Sequence, residues 1–138
     1  MAYAGDVTAQ QAWERLSTDR RCALVDVRTP AEWSYVGTPD LSSVGKGLLR
    51  VSWQGYPGMA LNPRFVEELA QSGISKDDSI FFLCRSGTRS RAAAEAMTAL
   101  GYRRCYNVAD GFEGPRDSEG HRGGLAGWKA SGLPWTQE

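Results

Sequence analysis

The chemistry of this sequence concentrates in one heptapeptide, Cys84-Arg85-Ser86-Gly87-Thr88-Arg89-Ser90. A cysteine acts as a nucleophile only as its thiolate, so its surroundings must stabilise the negative charge. The start of a helix supplies unpaired N–H donors and the positive end of a dipole, and Gly87 lets the backbone fold those donors around an anion. Arg85 and Arg89 add positive charge for an anionic substrate. The heptapeptide therefore predicts a nucleophilic thiolate in an anion-binding loop.

Cys84 also has a second interpretation, because free cysteines are commonly buried as small apolar side chains. The two arginines and the glycine beside Cys84 favour the reactive interpretation, since a packed and inert cysteine needs no such neighbours. Cys22 and Cys105 lack these neighbours and fall at the starts of predicted strands. We expect both of them to be structural.

Short apolar runs alternate with helical segments along the chain. Strands are predicted at residues 23–27, 48–53, 79–83 and 104–109, because each is a short run rich in apolar side chains. Helices are predicted from the cap at Thr8 to Leu16 and over residues 30–35, 63–70, 90–100 and 125–130. Residues 37–47, rich in Gly, Ser and Pro, are expected to form a loop. The alternation predicts one α/β domain with a mainly parallel sheet covered on both faces.

Polar residues of interest stand where three of these strands end. Asp26 and Arg28 close the strand at 23–27, Cys84 follows the strand at 79–83, and Asp110 follows the strand at 104–109. Open parallel sheets bind their ligands beyond the carboxyl ends of the strands. We therefore expect these residues to meet at one edge of the sheet.

Composition narrows the class of protein and its surroundings. The chain of 138 residues has 16 basic and 16 acidic residues, so no overall field draws it to nucleic acid or to a membrane surface. Its first residues lack a signal peptide, and no apolar run is long enough to span a bilayer. Three widely spaced cysteines and one histidine argue against a disulfide framework and a structural zinc site. We expect a single domain over residues 1–138, located in the cytoplasm, with no metal, no cofactor, and neither nucleic acid nor membrane as partner.

The sequence resembles the single-domain rhodanese family at three places. Residues 84–93 are similar to the active-site loop of that family, and this is the most specific of the three matches. Residues 26–28, with the Pro, Glu and Trp that follow by residue 33, are similar to its first signature. Residues 124–134 are similar to its C-terminal signature. Together the three places are spread over most of the chain, from residue 26 to residue 134.

The resemblance implies a rhodanese-like α/β fold, with a mainly parallel five-stranded sheet and helices on both faces. It also implies a thiosulfate sulfurtransferase, in which Cys84 carries sulfur as a persulfide. Thiosulfate or a similar anion would be the donor, and cyanide or a thiol, including a protein thiol, the acceptor. The substrate would be bound by Arg85, Ser86, Gly87, Thr88, Arg89 and Ser90.

Asp26 and Arg28, in the family pattern, would support this loop from a neighbouring strand. The alternative for them is an ion pair at the surface or at the strand end, which would contribute little. The sequence also departs from the family pattern after the last strand, where the polar residues 115–122 are inserted before Gly123. Residues 37–39 read Gly-Thr-Pro where many relatives have Gly-His-Ile-Pro. The insertion cannot pack into a core, so we expect it at the surface.

Two other functions stay open at this level. A cysteine in an anion-binding loop also suits a phosphatase or an arsenate reductase, although the position six after the cysteine, an arginine in protein tyrosine phosphatases, is Ser90 here. The cell-cycle phosphatases have a loop one residue longer. The third class is a module that binds partners without catalysis, or relays a persulfide to one protein. His121, a lone histidine in a polar loop, is expected to be a solvated side chain.

Overall fold

The computed structural model describes residues 3–55, 58 and 60–137. Its strands and helices follow one another as β1 (Gly5–Val7), α1 (Ala9–Thr18), β2 (Cys22–Asp26), α2 (Pro30–Tyr35), β3 (Thr38–Pro39), β4 (Leu49–Arg50), β5 (Gln54–Gly55), β6 (Ala60–Leu61), α3 (Phe65–Gln71), β7 (Ser79–Leu83), α4 (Thr88–Ala99), β8 (Arg104–Val108) and β9 (Trp135–Thr136). One turn of 3₁₀ helix covers Ser42–Val44. In this described part of the chain no helix is long and apolar enough to cross a membrane.

Five strands form one parallel sheet in the order β1-β8-β7-β2-β4. Two small antiparallel pairs, β3 with β9 and β5 with β6, lie outside this sheet. The central strand β7 is buried at all five positions, as a strand covered on both faces must be. The α/β architecture with five parallel strands confirms the predicted fold class.

Alternate side chains of the central strands build two apolar clusters, one on each face of the sheet. Ile80 and Phe82 of β7 pack with the cluster that contains Phe65 of α3 and Met97 of α4. Phe81 and Leu83 pack on the other face with the cluster that contains Leu16 of α1 and Trp128. The sheet is thereby held between helices, and its carboxyl edge is rigidly positioned.

Several predicted elements have different bounds in the structure. The predicted strand at 48–53 pairs only over Leu49–Arg50, at an edge of the sheet. The sequence does not predict β1, because its three residues include Gly5 and Asp6 and show no strand pattern. The predicted helix at 125–130 is wrong, since these residues form bends and turns. The amides of Trp128 and Lys129 donate to the carbonyls of Gly111 and Phe112, so the segment is held by another loop rather than by its own helical hydrogen bonds.

Asp26 and Arg28, at the end of β2, form an ion pair that is completely buried. Arg28 Nη2 donates to Asp26 Oδ2 at 2.6 Å and its Nε donates to Asp26 Oδ1 at 2.9 Å, and both side chains have no exposed surface. The same Nη2 also donates to the carbonyl of Gly37, and the guanidinium lies 4.3 Å from the centre of the Phe112 ring. A surface position for this pair is therefore wrong, whereas an ion pair at the end of a strand is confirmed. One arginine joins β2, the chain before β3 and the loop after β8.

Asp26→Asn should lower the free energy of unfolding by about 3 kcal/mol or more, because it leaves the Arg28 charge buried without a counter-charge. The measurement is urea denaturation. Arg21→Gln is the matched control, since it breaks the exposed pair between Arg21 and Asp78 and should change stability by less than about 1 kcal/mol. Equal, small losses in the two variants would show that Arg28 is not left as an uncompensated buried charge when Asp26 is neutralised.

Candidate active site

The sulfur of Cys84 lies at the N-terminus of α4 and accepts two backbone hydrogen bonds. The donors are the amides of Gly87 at 3.2 Å and Ser90 at 3.3 Å. Gly87 occupies the N-cap position and no side chain caps the helix there, so the sulfur accepts where a capping oxygen otherwise would. Cys84 is 1% exposed. This geometry places the sulfur against two backbone N–H groups and the positive end of the helix dipole.

Two glycines allow the loop to approach its neighbours closely. Gly87 has a φ of +104°, and a Cβ atom there would collide with the carbonyl of Ala109. At Gly111, with a φ of +68°, a Cβ atom would collide with the carbonyl of Arg85. In this close contact the Phe112 amide donates to the Cys84 carbonyl at 2.8 Å. The chain after β8 therefore fixes the backbone of the cysteine loop from one side.

The loop opens into a cleft of about 950 Å³. Its walls come from α2, from β5, from the cysteine loop and from the inserted segment: Thr29, Ala31, Glu32, Tyr35, Val36, Gln54, Cys84, Arg85, Ser86, Thr88, Arg89, Glu113 and Arg122. Of the residues predicted to bind substrate, four line the cleft with Cys84, whereas Gly87 and Ser90 are buried and face the sulfur through their amides. The structure thus brings the predicted loop residues together around one sulfur atom.

Arg89 does not face the cleft with a free charge. Its Nη1 and Nη2 donate to Glu32 Oε1 at 2.7 Å and Oε2 at 2.9 Å, and both side chains are largely buried. Glu32 also belongs to the capping box of α2 with Thr29. Burial of Glu32 opposes its ionisation, but the hydrogen bonds and charge of Arg89 outweigh burial and lower the pKa of Glu32 below its ordinary value. Of the two loop arginines, only Arg85 is exposed, and it has no ion-pair partner within the described ranges.

The other strand-end residues meet at the same edge but do not touch the sulfur. Arg28 reaches the loop through Phe112, whose ring it covers and whose amide holds the Cys84 carbonyl. Asp110 accepts the amide of Ala9 at 2.8 Å through Oδ1 and the amide of Gly127 at 3.2 Å through Oδ2. Both residues therefore connect the segments around the loop.

Cys22 and Cys105 are buried thiols at the opposite ends of their strands from the cleft. Burial is the main reason that the pKa of Cys22 is raised to about 11. Burial also raises the pKa of Cys105 above its ordinary value. Neither residue lines the cleft. Their environment favours neutral, unreactive thiols.

The polar insertion forms an ordered turn at the mouth of the cleft. Asp117 Oδ1 accepts the amides of Glu119 at 2.9 Å and His121 at 2.8 Å, which closes the turn. Arg122 donates to the carbonyl of Gly114 at 2.8 Å and its side chain lines the cleft. His121 is an exposed side chain beside Glu119 and does not line the cleft. The insertion thus lies at the surface, as its composition predicts.

Sequence reasoning missed two contributors to the site. Glu32 was noted only as part of a motif, and nothing in its local pattern identifies Arg89, 57 positions away, as its partner. Asn107 accepts a hydrogen bond from Ser90 at 2.6 Å inside the core. An asparagine in the middle of the buried strand β8 is the signal that was available, since buried polar groups need a partner.

Comparison with known proteins agrees with this geometry. The crystal structure of Rv0390 from M. tuberculosis matches with a TM-score of 0.91 and 51% identity over 99% of this chain and 100% of that one. The polysulfide-sulfur transferase homodimer of Wolinella succinogenes matches with a TM-score of 0.68 over 96% of this chain and 78% of its own, and at 21% identity this shows a shared fold.

A plant relative is similar in sequence as well. The rhodanese-like domain-containing protein 4 of the Arabidopsis thaliana chloroplast is 28% identical over 96% of this chain, which spans 26% of that longer protein. The fold and these relatives define a rhodanese-like domain, which confirms the resemblance at the level of the rhodanese-like fold and family. Within that class, the family described as the STR4 middle domain matches residues 4–138, and the chain belongs to it.

Glu32→Gln should make the stability of the protein less sensitive to acid. Because the folded-state pKa of Glu32 lies below its ordinary value of 4.5, its carboxylate contributes stability that is fully present above about pH 4.5 and is lost as the pH falls through the lowered value. The variant should be less stable than the wild type at pH 7, and the difference should shrink in acid. The urea midpoints of both proteins, measured from pH 7 down into acid, give this difference in stability. Glu119→Gln, an exposed acid, is the control, and a difference that does not depend on pH would refute the coupling.

Proposed function

We propose that this protein is an enzyme, a thiosulfate sulfurtransferase that carries sulfane sulfur on Cys84. The observation that carries the proposal is the sulfur of Cys84, held at the N-terminus of α4 by the amides of Gly87 and Ser90 and bordering an open cleft. Such donors stabilise the anion that must act as nucleophile. The rhodanese-like relatives support the sulfurtransferase class, and the loop geometry supports the choice of nucleophile.

The proposed reaction has two displacements. The Cys84 thiolate attacks the outer sulfur of thiosulfate, the sulfur–sulfur bond of the donor breaks, and sulfite leaves with the electron pair. Cyanide or a thiolate then attacks the outer sulfur of the resulting persulfide, and the Cys84 thiolate leaves with the electron pair. Thiocyanate or a new persulfide is the product. The amides of Gly87 and Ser90 stabilise the thiolate at the beginning and the end of the cycle.

Arg85 is the docking cation in this proposal. Its side chain is exposed at the cleft, whereas the charge of Arg89 is balanced by Glu32. The hydroxyls of Ser86 and Thr88 border the same space and are available to thiosulfate oxygens. Arg89 supports the loop by tying α4 to α2. This division of roles refines the sequence prediction, which treated the two arginines alike.

The paired Arg89 also weighs against the alternative phosphatase function. A phosphoryl group needs several cationic or N–H donors around its oxygens, and one of the two loop guanidinium groups is occupied by a carboxylate at 2.7 Å. A relay module that passes its persulfide to one protein thiol shares the first displacement and differs in the second.

The proposed location of the protein is the cytoplasm, and the proposed acceptor is a small thiol or a protein thiol.

Incubation with thiosulfate should add one sulfur atom to the protein, and cyanide should remove it as thiocyanate. Intact-mass spectrometry measures both steps. Cys84→Ser should abolish both, whereas Cys22→Ser and Cys105→Ser should leave them intact, because those thiols are buried away from the cleft. Sulfur uptake by Cys84→Ser would disprove the assignment. A persulfide that forms and resists cyanide would favour the relay module.

Arg85→Ala and Arg89→Ala should have different effects. Loss of the exposed Arg85 should raise the KM for thiosulfate several-fold with little change in kcat, because docking charge acts as ground-state binding. The free energy of unfolding of Arg85→Ala should differ from that of the wild type by less than about 0.5 kcal/mol. Arg89→Ala leaves Glu32 without its partner and should cost about 1 kcal/mol or more of stability. Steady-state kinetics and urea denaturation together distinguish the effects of the two substitutions. An unchanged KM for thiosulfate in Arg85→Ala would exclude Arg85 as the docking group.

A further inference from the structure

A chain of hydrogen bonds runs from the sulfur of Cys84 to the edge of the sheet. Ser90 Oγ lies 3.1 Å from the sulfur and 2.6 Å from Asn107 Oδ1. Asn107 Nδ2 donates to Asp6 Oδ1 at 3.1 Å, and the hydroxyl of Tyr3 donates to the same oxygen at 2.6 Å. Cys84, Ser90 and Asn107 are buried. Asp6 and Tyr3, on and before β1, reach the surface.

The direction of these hydrogen bonds follows from chemistry at the outer end. An ionised carboxylate has only acceptors, so Asp6 requires the NH₂ group of Asn107 to face it. The hydrogen bond to Asp6, with burial and the Asp6 charge, raises the pKa of Tyr3, so this hydroxyl stays a donor at neutral pH. The carbonyl oxygen of Asn107 must then face Ser90.

Ser90 has one hydroxyl proton, which it uses in the hydrogen bond to Asn107 Oδ1. That buried oxygen has no other hydrogen-bond donor among the described residues, and leaving it without one is costly. The oxygen of Ser90 therefore presents lone pairs to Cys84. It can accept a hydrogen bond from the neutral thiol, but it does not donate one to the thiolate.

We propose that Asn107 and Asp6 are positioning residues that keep the Ser90 hydroxyl turned away from the Cys84 thiolate. The sulfur anion is then left with two hydrogen-bond donors, the amides of Gly87 and Ser90. A thiolate with fewer donors is less stabilised and a stronger nucleophile. The use of that nucleophile for sulfur transfer rests on the proposed function, but the hydrogen-bond arrangement does not.

Other charges surround the two ends of this chain. Near the sulfur stand Arg89 with its partner Glu32, and Asp26 with Arg28. Near Asp6 and Tyr3 stand Arg91 and Glu95. None of these is changed by the substitutions below, so the Asp6 charge is the only one in this region that differs between a variant and the wild type.

The test is the rate of alkylation of Cys84 by iodoacetamide as a function of pH, in a Cys22→Ser/Cys105→Ser background. Asn107→Leu removes the acceptor and frees the Ser90 hydroxyl to donate to the thiolate. The pH of half-maximal rate should fall by about one unit, the size expected of one hydrogen bond to an anion. In a Ser90→Ala background the same substitution should have no effect.

Asp6→Ala is the second variant, because it changes an exposed side chain and should fold even where Asn107→Leu does not. It removes the oxygen that accepts from the Asn107 amide and so orients it, so the half-maximal pH should fall, and most of the fall should vanish with Ser90→Ala. A purely electrostatic effect of the lost charge would survive in that background. Glu14→Gln, an exposed acid on α1, is the charge-matched control.

The outcomes separate the two proposals. No shift in Asp6→Ala, or shifts that persist without the Ser90 hydroxyl, would overturn the positioning role. Alkylation requires no sulfur donor, so the expected shifts in a protein that never takes up sulfur would uphold this inference and refute the sulfurtransferase. Sulfur transfer without the shifts would do the reverse.

Discussion

The hydrogen bonds from the start of α4 to the Cys84 sulfur impose the main constraint on this structure. They require the chain to turn from β7 into a helix within a few residues, with two amides aimed at one atom. Such a turn needs the positive φ of Gly87 and a second backbone packed closely behind it, which the segment at Gly111 provides. That segment is in turn held by Arg28 through Phe112. The buried ion pair at the end of β2 thus belongs to the same assembly as the cysteine.

Two of the arginines around the cysteine loop form ion pairs within the protein. Arg28 is neutralised by Asp26 and Arg89 by Glu32, so both guanidinium groups act as rigid cross-links. Such pairs fix geometry more than they add stability, because desolvation offsets much of their attraction. Arg85 keeps an exposed charge at the cleft. A motif with two arginines therefore contains one cross-link and one group directed to solvent.

The fold class and the cysteine loop could be predicted from sequence because both depend on local patterns. The apolar run of β7, the cap of α1 at Thr8 and the loop residues of Cys84 are each contained within a few positions. The pairing of Arg89 with Glu32 and of Asn107 with Ser90 joins residues far apart in the chain, and only the packed sheet brings them together. The helix predicted at 125–130 failed for the same reason, since Gly111 and Phe112 compete for its amides.

The burial of Cys84 has a consequence for selectivity between two sulfur atoms. A persulfide offers an incoming nucleophile either its inner or its outer sulfur. Attack on the inner atom would expel hydrosulfide and leave a mixed disulfide on the protein. The inner atom would be the sulfur of Cys84, which is enclosed by its own loop in a residue only 1% exposed. The outer atom would be the first one that a nucleophile in the cleft meets. In the proposed reaction, this enclosure and the two amides that stabilise the leaving Cys84 thiolate both direct attack to the outer sulfur.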